Sequence, residues 1–578
     1  VGGFHHAQLA KQLGFEAFRT WGLDQLRWVL KDAASTGFKV MVGIDMTRDP
    51  QYYKGDEHCD DLEGSSFWQK EAKRILERVD QSKYDEHILM WLVGNELETP
   101  IDAEKGSDCL WRRVNWMAGK IKEVDPNHPT GIALAGIATP KVAKMAKLCP
   151  KIDVLGTNLY GNAIRDVGAR LRAAGWRKPW AFTECGPLGP WEVPRTSWGA
   201  VLEQSSTDKG QFLKRGLRLC MDDEMCVGFM AFLWGWKWEK TGTWFGLMDS
   251  WHEANGYGYL NDMGQPLYDI FGPKDKTAFR IHIDKLLVAG GREVPLGFSA
   301  HRGAEVQLDL FAIATAFPGD TGAWASWAVT KETPINPESD GNIAEKQLPV
   351  IKDVVEACPN SFRAKLKTWE LEEGGSYRLY AFARRIHHGG LPGYPPIVEA
   401  SISVPFHIGP QNCSDVESGT CFEEATRVMN SARRMGHADW PAAGLLPTST
   451  FKEFQAALHV QRQAGCPAPC SVDVGVNSSS TCIAATQLRY VVDVPAAQKL
   501  LEPPEITFSG ECSTAQPPEE CFYGTKWLLD TGRYSMPEAF PEVTITSTFE
   551  DAQLALWKRA KNHCKRPCPD ATQAAFYK

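Results

Sequence analysis

Two glutamates in this sequence each follow a short apolar run, a placement typical of catalytic carboxyl groups. Glu96 ends the motif WLVGNE, and Glu184 lies within the motif FTECG. Cleavage of a glycosidic bond needs two carboxyl groups, because one protonates the leaving oxygen while the other attacks the anomeric carbon or activates water. We therefore predict a glycoside hydrolase whose catalytic pair is Glu96 and Glu184.

The first 275 residues carry the pattern of a scaffold that could position this pair. Continuous apolar runs alternate there with helical patterns, which predicts a parallel sheet covered on both faces. The helical patterns include residues 23–36, 66–79 and 110–124. The apolar runs lie at residues 17–21, 40–46, 88–93, 131–135, 152–160, 180–183 and 227–234.

Seven runs are visible, and an eighth strand just before or at Val1 would complete a (β/α)8 TIM barrel. The rival is an open doubly wound sheet, which would need a glycine-rich phosphate loop after an early strand, and the sequence contains none. Catalytic residues of such barrels lie at the carboxyl ends of strands. We therefore expect Glu96, after strand four on this count, and Glu184, at the end of strand seven, to face the same mouth.

Beyond residue 275 the pattern predicts further domains. Residues 276–410 contain stretches that alternate with period two, at 376–383 and 400–406, which favours an immunoglobulin-like β-sandwich. One helix is predicted there at about 348–357, because Pro349 suits the first helical turn. Residues 411–482 and 483–578 then form a first Cys-rich repeat, followed by a linker and a second repeat.

The two repeats share their cysteine spacing. Phe451 precedes Cys466 by fifteen residues, as Phe549 precedes Cys564. We predict two short helices in each copy, clamped by two disulfides, since units of this size need such links. Four cysteines in each copy could also bind zinc, but their CxxxC spacing favours disulfides. The disulfide candidates are Cys413, Cys421, Cys466, Cys470, Cys512, Cys521, Cys564 and Cys568.

Composition limits the class of protein. A net charge of −8 over 578 residues gives no basic face for nucleic acid. No apolar run approaches the roughly 18 residues of a membrane-spanning helix. Nine of the 16 cysteines follow residue 410, beside glycosylation sequons at Asn412 and Asn477, which favours a secreted or cell-surface protein. The 21 tryptophans could stack on sugar rings or fill a large core.

The N-terminal 270 residues resemble the barrel domain of the β-galactosidase/β-glucuronidase family, glycoside hydrolase family 2. Besides GNE and TE, the motifs FRTWG, DPNHPT, ECGPLGPWE and FLWG carry the resemblance. It implies a retaining mechanism with Glu96 as general acid/base and Glu184 as nucleophile, and it implies no cofactor and no metal. It also implies roles in substrate placement for Arg19, Trp21, Asn95, Tyr160 and Trp234.

In the family these residues have distinct tasks. Asn95 would hydrogen-bond the 2-hydroxyl of the sugar, and Trp234 would form the floor of the subsite. Arg19 would keep Glu184 ionised for attack, and Tyr160 would donate to the same carboxylate. The pKa of Glu96 should be raised while Glu184 is charged, and should fall once Glu184 is esterified.

Two features depart from the family. Cys185 stands where an aromatic residue is usual, and this sequence lacks the N-terminal sugar-binding β-domain that family members usually carry. Other carboxyls near the mouth, Asp45, Glu98 and Glu192, rank below the main pair. The histidine pairs at 5–6 and 387–388 lack a third metal ligand at motif spacing. The tryptophans at 236, 238 and 244 could line a cleft or pack beneath the barrel loops.

Three functions remain open on the sequence. The first is a secreted retaining hydrolase acting on a β-linked polysaccharide or oligosaccharide. A transglycosylase would use the same residues, because only the acceptor differs. The third is a structural or adhesive extracellular protein with an inherited barrel, whose repeats contact a cell wall, a matrix or a protein partner.

Overall fold

In the computed structural model the chain forms two compact units. The first comprises residues 1–189, 212–235 and 266–276, and the second comprises 190–211, 236–265 and 277–578. The boundaries predicted at 275 and 410 stay predictions. The residues that the structure describes are 4–53, 65–99, 108–193, 195–196, 198–249, 259–271, 281–288, 292–293, 297–315, 322–333, 345–358, 361–386, 397–409, 414, 416–435, 451, 454–455, 458, 464–467, 488–491, 513–515, 519–529, 540, 543, 549–559, 564–565 and 567.

The first unit contains a seven-stranded parallel sheet whose strands follow the order of the sequence. All seven predicted strands are confirmed, and the first and last strands contact each other, so the sheet is barrel-like. The eighth strand, expected at or before Val1, lies outside the described residues. The strands are β1 (Ala17–Arg19), β2 (Lys39–Ile44), β3 (Ile88–Asn95), β4 (Thr130–Ala135), β5 (Val154–Tyr160), β6 (Trp180–Gly186) and β7 (Cys226–Ala231).

Helices alternate with these strands, as the amphipathic patterns predicted. In α2, for example, Leu26, Leu30 and Ala33 recur at helical spacing and are buried. The first helix, α1, was not predicted. The helices are α1 (Phe4–Gln12), α2 (Leu26–Thr36), α3 (Ser66–Ser82), α4 (Cys109–Val124), α5 (Thr139–Leu148), α6 (Val167–Ala173), α7 (Ser206–Met221) and α8 (Gln265–Phe271), with 3-10 turns at Pro50–Tyr53, Gly161–Ile164 and Asp262–Gly264.

The core of this unit explains the long apolar runs. Strands β2 to β6 are buried along most of their length, because helices cover the sheet. Part of the tryptophan content is core, since Trp68, Trp91, Trp111 and Trp180 are all buried. Parallel strands end at a common edge, so the residues that end β1, β3, β5 and β6 meet there.

The second unit contains two further, mostly antiparallel sheets. One has the strand order β11-β10-β13-β16-β15, with β19 paired to β13. The other has the order β14-β17-β18-β9-β8, with β12 paired to β18. Strand β10 contacts both β17 and β18. The immunoglobulin-like topology stays a prediction. The strands are β8 (Met248–Asp249), β9 (Tyr259–Asn261), β10 (Ile281–Val288), β11 (Arg292–Glu293), β12 (Phe298–His301), β13 (Glu305–Thr315), β14 (Ala323–Lys331), β15 (Val355–Ala357), β16 (Arg363–Lys367), β17 (Ser376–Ile386), β18 (Ile397–Gly409) and β19 (Leu488–Val491).

The helix predicted at about 348–357 is wrong. That segment contains no helix: residues 352–353 form a turn, and the segment ends in β15, which pairs with β16. Leu348 and Val350 pack on a core cluster with Trp238 and Tyr380, and the N–H of Ile351 donates to Val329. Contacts at alternate positions, together with a backbone partner on a neighbouring strand, favour extended chain over the helix that Pro349 suggested.

The tryptophans after β7 belong to this second unit. Trp238 and Trp244 are almost fully buried, and Trp236 packs against the cluster that contains Trp238. Of the two possibilities for these residues, cleft lining and packing, the structure supports packing. His387 and His388 lie outside the described residues.

Both C-terminal repeats contain a disulfide at the predicted cysteines. Cys421 pairs with Cys466 and Cys521 with Cys564. The remaining candidates, Cys413, Cys470, Cys512 and Cys568, and the sequons at Asn412 and Asn477 lie outside the described residues. The helices described here are α9 (Thr420–Met435), α10 (Glu520–Trp527) and α11 (Phe549–Lys558).

A buried glutamine makes matching hydrogen bonds in both predicted repeats. The side-chain amide of Gln455 donates to the carbonyls of Ser414 and Pro467 and accepts from the N–H of Val416. Gln553 makes the same three bonds, to Ser513, Lys565 and Ala515. The duplication inferred from cysteine spacing therefore extends to side-chain hydrogen bonds. Within the described part of the chain, no helix has the length and apolar character needed to cross a membrane.

Candidate active site

Glu184 lies in β6, and its carboxylate is held by side chains from β1, from β5 and from the segment just after β1. Its Oε1 accepts from Arg19 Nη1 at 2.9 Å and from Trp21 Nε1 at 3.1 Å. Its Oε2 accepts from the hydroxyl of Tyr160 at 2.6 Å. Glu184 is only 7% exposed. Both oxygens therefore have hydrogen-bond donors, one of which carries a full positive charge, in a site that excludes most water.

Arg19 ends β1 and joins the nucleophile candidate to the neighbouring strands. Besides Glu184, Nη1 donates to the carbonyl of Thr183 at 2.9 Å, and Nη2 donates to Asn95 Oδ1 at 2.5 Å. A planar guanidinium can hold several acceptors in fixed directions. Arg19 therefore aligns residues from β3 and β6 at one edge of the sheet.

Glu96 directly follows β3 and adopts a backbone conformation that is unusual for a residue with a side chain. Its φ is 49°, and that of Gly94 is 86°, so both lie in the left-handed region. Its N–H donates to the carbonyl of Ala133 on β4. Non-glycine residues occupy this region rarely, and such positions cluster at functional sites. The turn directs the Glu96 side chain to Asn158, which lies in β5.

The pKa of Glu96 is raised from 4.5 to about 7. Burial is the main cause, and the negative charge of Glu184 raises this pKa further; both disfavour the ionised form of Glu96. A hydrogen bond from Asn158 and the positive charge of Arg48 lower the pKa and so limit the shift. The raised pKa matches the expectation from sequence. The two glutamates thus have different surroundings, although both lie at the same edge of the sheet.

Asn158 is a site residue that the sequence reasoning missed. Its Nδ2 donates to Glu96 Oε1 at 2.8 Å and to Asn95 Oδ1 at 3.1 Å. A signal for it was present, because Asn158 precedes Tyr160 by two residues. Side chains two apart in a strand point to the same face.

The predicted aromatic residues divide into two groups. Trp21 is 47% exposed and contacts the ring of Phe232, with ring centroids 6.2 Å apart. Tyr160 contacts the same ring at 5.8 Å. Phe232 was not predicted, yet it joins the two aromatic residues that donate to Glu184.

Trp234 is not brought into this cluster. Its ring contacts Phe15 at 5.7 Å and His6 at 6.4 Å, in edge-on geometry. His6 belongs to α1. The structure therefore places the predicted floor residue against α1 and the segment that precedes β1, while Phe232 contacts the rings of Trp21 and Tyr160.

The competing carboxyls have other surroundings. Glu98 is buried in an ion pair with Lys141 at 2.9 Å and accepts from the N–H of Ala135. Asp45 is largely exposed and pairs with Arg74 at 3.1 Å. Glu192 belongs to the second unit. The hydrogen bonds described for Glu98 and Asp45 do not involve Arg19, Tyr160 or Asn158.

Cys185, where the sequence departs from the family, points away from Glu184. Adjacent strand residues face opposite sides, and Cys185 is a buried free thiol. A Cβ added to Gly216 in α7 would lie only 2.6 Å from its Sγ. The departure at Cys185 is therefore a matter of strand–helix packing. Among the described residues no cluster of His, Cys, Asp or Glu could hold a metal ion.

A barrel-like parallel sheet with a carboxyl pair at its carboxyl edge is the arrangement of a (β/α)8 glycosidase-type domain. No protein-family model and no curated protein matches the sequence. The solved structures that resemble it include a glycoside hydrolase family 2 β-galacturonidase from Eisenbergiella tayi. That match has 19% identity and a TM-score of 0.30, and it covers 39% of this chain and 38% of the other.

Two β-glucuronidases also resemble the chain. The Ruminococcus gnavus enzyme is 16% identical with a TM-score of 0.31, and the match covers 42% of this chain and 43% of the other. The Parabacteroides merdae enzyme is 12% identical with a TM-score of 0.34, covering 72% and 46%. The chain thus spans less than half the length of each of these three proteins. These three proteins are glycosidases of the kind that the motifs resemble.

Proposed function

We propose that this protein is a retaining glycoside hydrolase that cleaves a β-linked glycan by double displacement. Glu184 acts as the nucleophile and Glu96 as the general acid/base. The observation that carries the proposal is the contrast between the two carboxyls. Glu184 accepts from Arg19, Trp21 and Tyr160, whereas the pKa of Glu96 is raised to about 7.

The two environments suit the two chemical steps. In the first step Glu96 must carry a proton to give to the leaving oxygen, and its raised pKa supplies one near neutral pH. In the same step Glu184 must be ionised to attack the anomeric carbon, which its three donors favour. Esterification then removes the charge of Glu184, so the pKa of Glu96 falls and Glu96 can take a proton from the incoming water.

Neighbouring side chains would orient the sugar. Asn95 lies beside Arg19 and Asn158, where its amide could face a 2-hydroxyl on a bound sugar. The half-exposed Trp21 offers an indole face while its N–H holds Glu184. Flat C–H faces of sugars pack on such rings, and Phe232 supports Trp21 from the side.

Covalent trapping tests this proposal directly. Activated 2-fluoroglycosides or epoxide probes of gluco, galacto and manno configuration would be incubated with the protein, and the labelled peptide identified by mass spectrometry. We expect labelling at Glu184 and none in Glu184→Gln. If no configuration labels the protein, the hydrolase proposal fails and the structural or adhesive alternative is favoured.

We also infer that the protein works in an oxidising compartment, either secreted or at a cell surface. Disulfides at Cys220–Cys226, Cys421–Cys466 and Cys521–Cys564 support this, because such bonds persist where thiols are not kept reduced. The duplicated repeats would then attach the enzyme to a glycan, a matrix or a protein. A glycan array probed with the full chain and with a variant shortened after residue 410 would test carbohydrate attachment.

A further inference from the structure

Asn158 lies between the two glutamates, and its side-chain amide has partners on both ends. On the oxygen end, Oδ1 accepts from the hydroxyl of Thr183 at 2.8 Å and lies 3.4 Å from Arg19 Nη1. On the nitrogen end, Nδ2 donates to Glu96 at 2.8 Å and to Asn95 at 3.1 Å. Asn158 and Thr183 are both buried.

The chemistry of these partners determines which way the amide points. Arginine can only donate, and a carboxylate can only accept. A reversed amide would set its NH2 against Arg19 and its oxygen against Glu96, losing both bonds and adding a repulsion. A hydroxyl can donate or accept, so Arg19 and Glu96 decide the direction of the amide. The hydroxyl of Thr183 makes the shorter of the two contacts to Oδ1 and so holds the amide in place once that direction is chosen.

The Thr183 side chain is itself held against the neighbouring strand. Gly156 in β5 has no side chain, and a Cβ there would lie 2.4 Å from Thr183 Cγ2. The methyl group of Thr183 therefore lies close to the β5 backbone, which leaves the hydroxyl directed at Asn158. Replacing Thr183 with valine would keep the shape and remove only the donor.

We propose that Thr183 is a positioning residue for catalysis, which orients the Asn158 amide so that its N–H group donates to Glu96. The inference rests on the proposed function, because it assigns Glu96 to acid/base work. Thr183 directly precedes Glu184 in the chain. One short segment of β6 therefore supplies the nucleophile and also, through Asn158, positions a hydrogen-bond donor to the acid/base Glu96.

The orientation of the Asn158 amide affects how easily Glu96 ionises. A hydrogen bond donated to a carboxylate stabilises its charged form and lowers its pKa. The charged groups that act on Glu96 are Glu184, Glu98 and Arg48, and the first two raise its pKa. Asn158 opposes them, so it keeps Glu96 able both to give and to take a proton near neutral pH. Loss of the Thr183 hydroxyl should weaken the hydrogen bond from Asn158 and so raise the pKa of Glu96.

The test compares Thr183→Val, Thr183→Ser and a control variant by two measurements, a titration of the Glu96 carboxyl and a pH profile of activity. Protein labelled with carbon-13 at glutamate side-chain carboxyls is titrated by NMR, with Glu96→Gln used to assign the signal, and the pH profile of kcat/KM is recorded. We expect Thr183→Val to move the Glu96 titration, and the alkaline limb of kcat/KM, upward by about half to one pH unit. Thr183→Ser, which keeps the hydroxyl, should restore the wild-type profile.

Thr157→Val is the matched control. Thr157 lies in β5 and is equally buried, but its hydroxyl makes no hydrogen bond to any described residue. Its loss should leave the Glu96 titration unchanged. A Thr183→Val protein that titrates like wild type would overturn the inference, and Thr183→Ala provides the same comparison if the valine variant does not fold.

The two proposals can fail separately. The carboxyl titration requires no turnover, so it decides the role of Thr183 even if no glycoside labels Glu184. Labelling of Glu184 together with unchanged titration in Thr183→Val would instead leave the hydrolase standing and remove the positioning role.

Discussion

Arg19 and Glu184 form an ion pair at 2.9 Å in which both side chains are less than 10% exposed. The pair joins the first strand of the parallel sheet to the sixth. Because neither charge is well solvated, each depends on the other for its stability.

Removal of one partner of this pair should cost more than removal of both. In Arg19→Met the carboxylate of Glu184 loses its cation, and we expect a loss of about 3–5 kcal/mol in the free energy of unfolding at pH 7. The double variant Arg19→Met/Glu184→Gln should recover much of that loss. Arg74→Met, which breaks the more exposed pair with Asp45, should cost less than about 1 kcal/mol. Urea unfolding of wild type and these three variants measures the differences, and a double variant no more stable than Arg19→Met would contradict the expectation.

Because of Glu96, the free energy of unfolding should fall as the pH rises. Its pKa is about 7 in the folded protein against an ordinary 4.5, so the folded chain binds this proton more tightly than the unfolded chain does. The stabilisation is fully present below pH 4.5 and is lost as pH rises through 7. The side chain in Glu96→Gln cannot ionise. When the pH is raised from 4 to 8, the free energy of unfolding of this variant should therefore increase relative to that of wild type by on the order of 2 kcal/mol. Denaturant unfolding at both pH values tests this, with the exposed Glu77→Gln as the control.

Neutralising the nucleophile should lower the pKa of Glu96. The charge of Glu184 is one cause of the raised value, and Glu184→Gln removes it while keeping the side-chain shape. We expect the Glu96 carboxyl to titrate about one pH unit lower in that variant, as measured by carbon-13 NMR. A trapped glycosyl ester on Glu184 should have the same effect. An unchanged or higher titration would mean that Glu184 does not act on Glu96 through its charge.

Packing at Cys185 should make one helical glycine sensitive to substitution. In α7 a Cβ at Gly216 would lie 2.6 Å from Cys185 Sγ, so we expect Gly216→Ala to lower stability by about 1–3 kcal/mol. Gly119 in α4 has open space, its nearest atom being Lys151 Cγ at 3.9 Å. Gly119→Ala should therefore raise stability by about 0.5–1 kcal/mol. Thermal unfolding separates the two, and equal effects would show that Cys185 does not constrain α7.

The local sequence pattern was sufficient to predict the parallel sheet and the position of the two glutamates at its edge. The seven strands are continuous apolar runs because they are buried on both faces, and burial of that kind is visible in the sequence itself. Glu96 and Glu184 follow such runs, so their position at one edge was predictable. Local pattern failed at 348–357, where Leu348 and Val350 pack at alternate positions in a core cluster of the second unit.

The amino-acid sequence by itself determined the alternation of strands and helices, the two glutamates and the cysteine-spaced repeats, since each depends on neighbours close in the chain. Only the tertiary structure decided how the site is connected. Asn158 contacts Glu96 across 62 residues of sequence, and Trp21 contacts Glu184 across 163. Phe232, and not Trp234, lies beside Tyr160. Such partners are chosen by where strands meet in space and by which atoms can donate and accept there, and no local spacing encodes that choice.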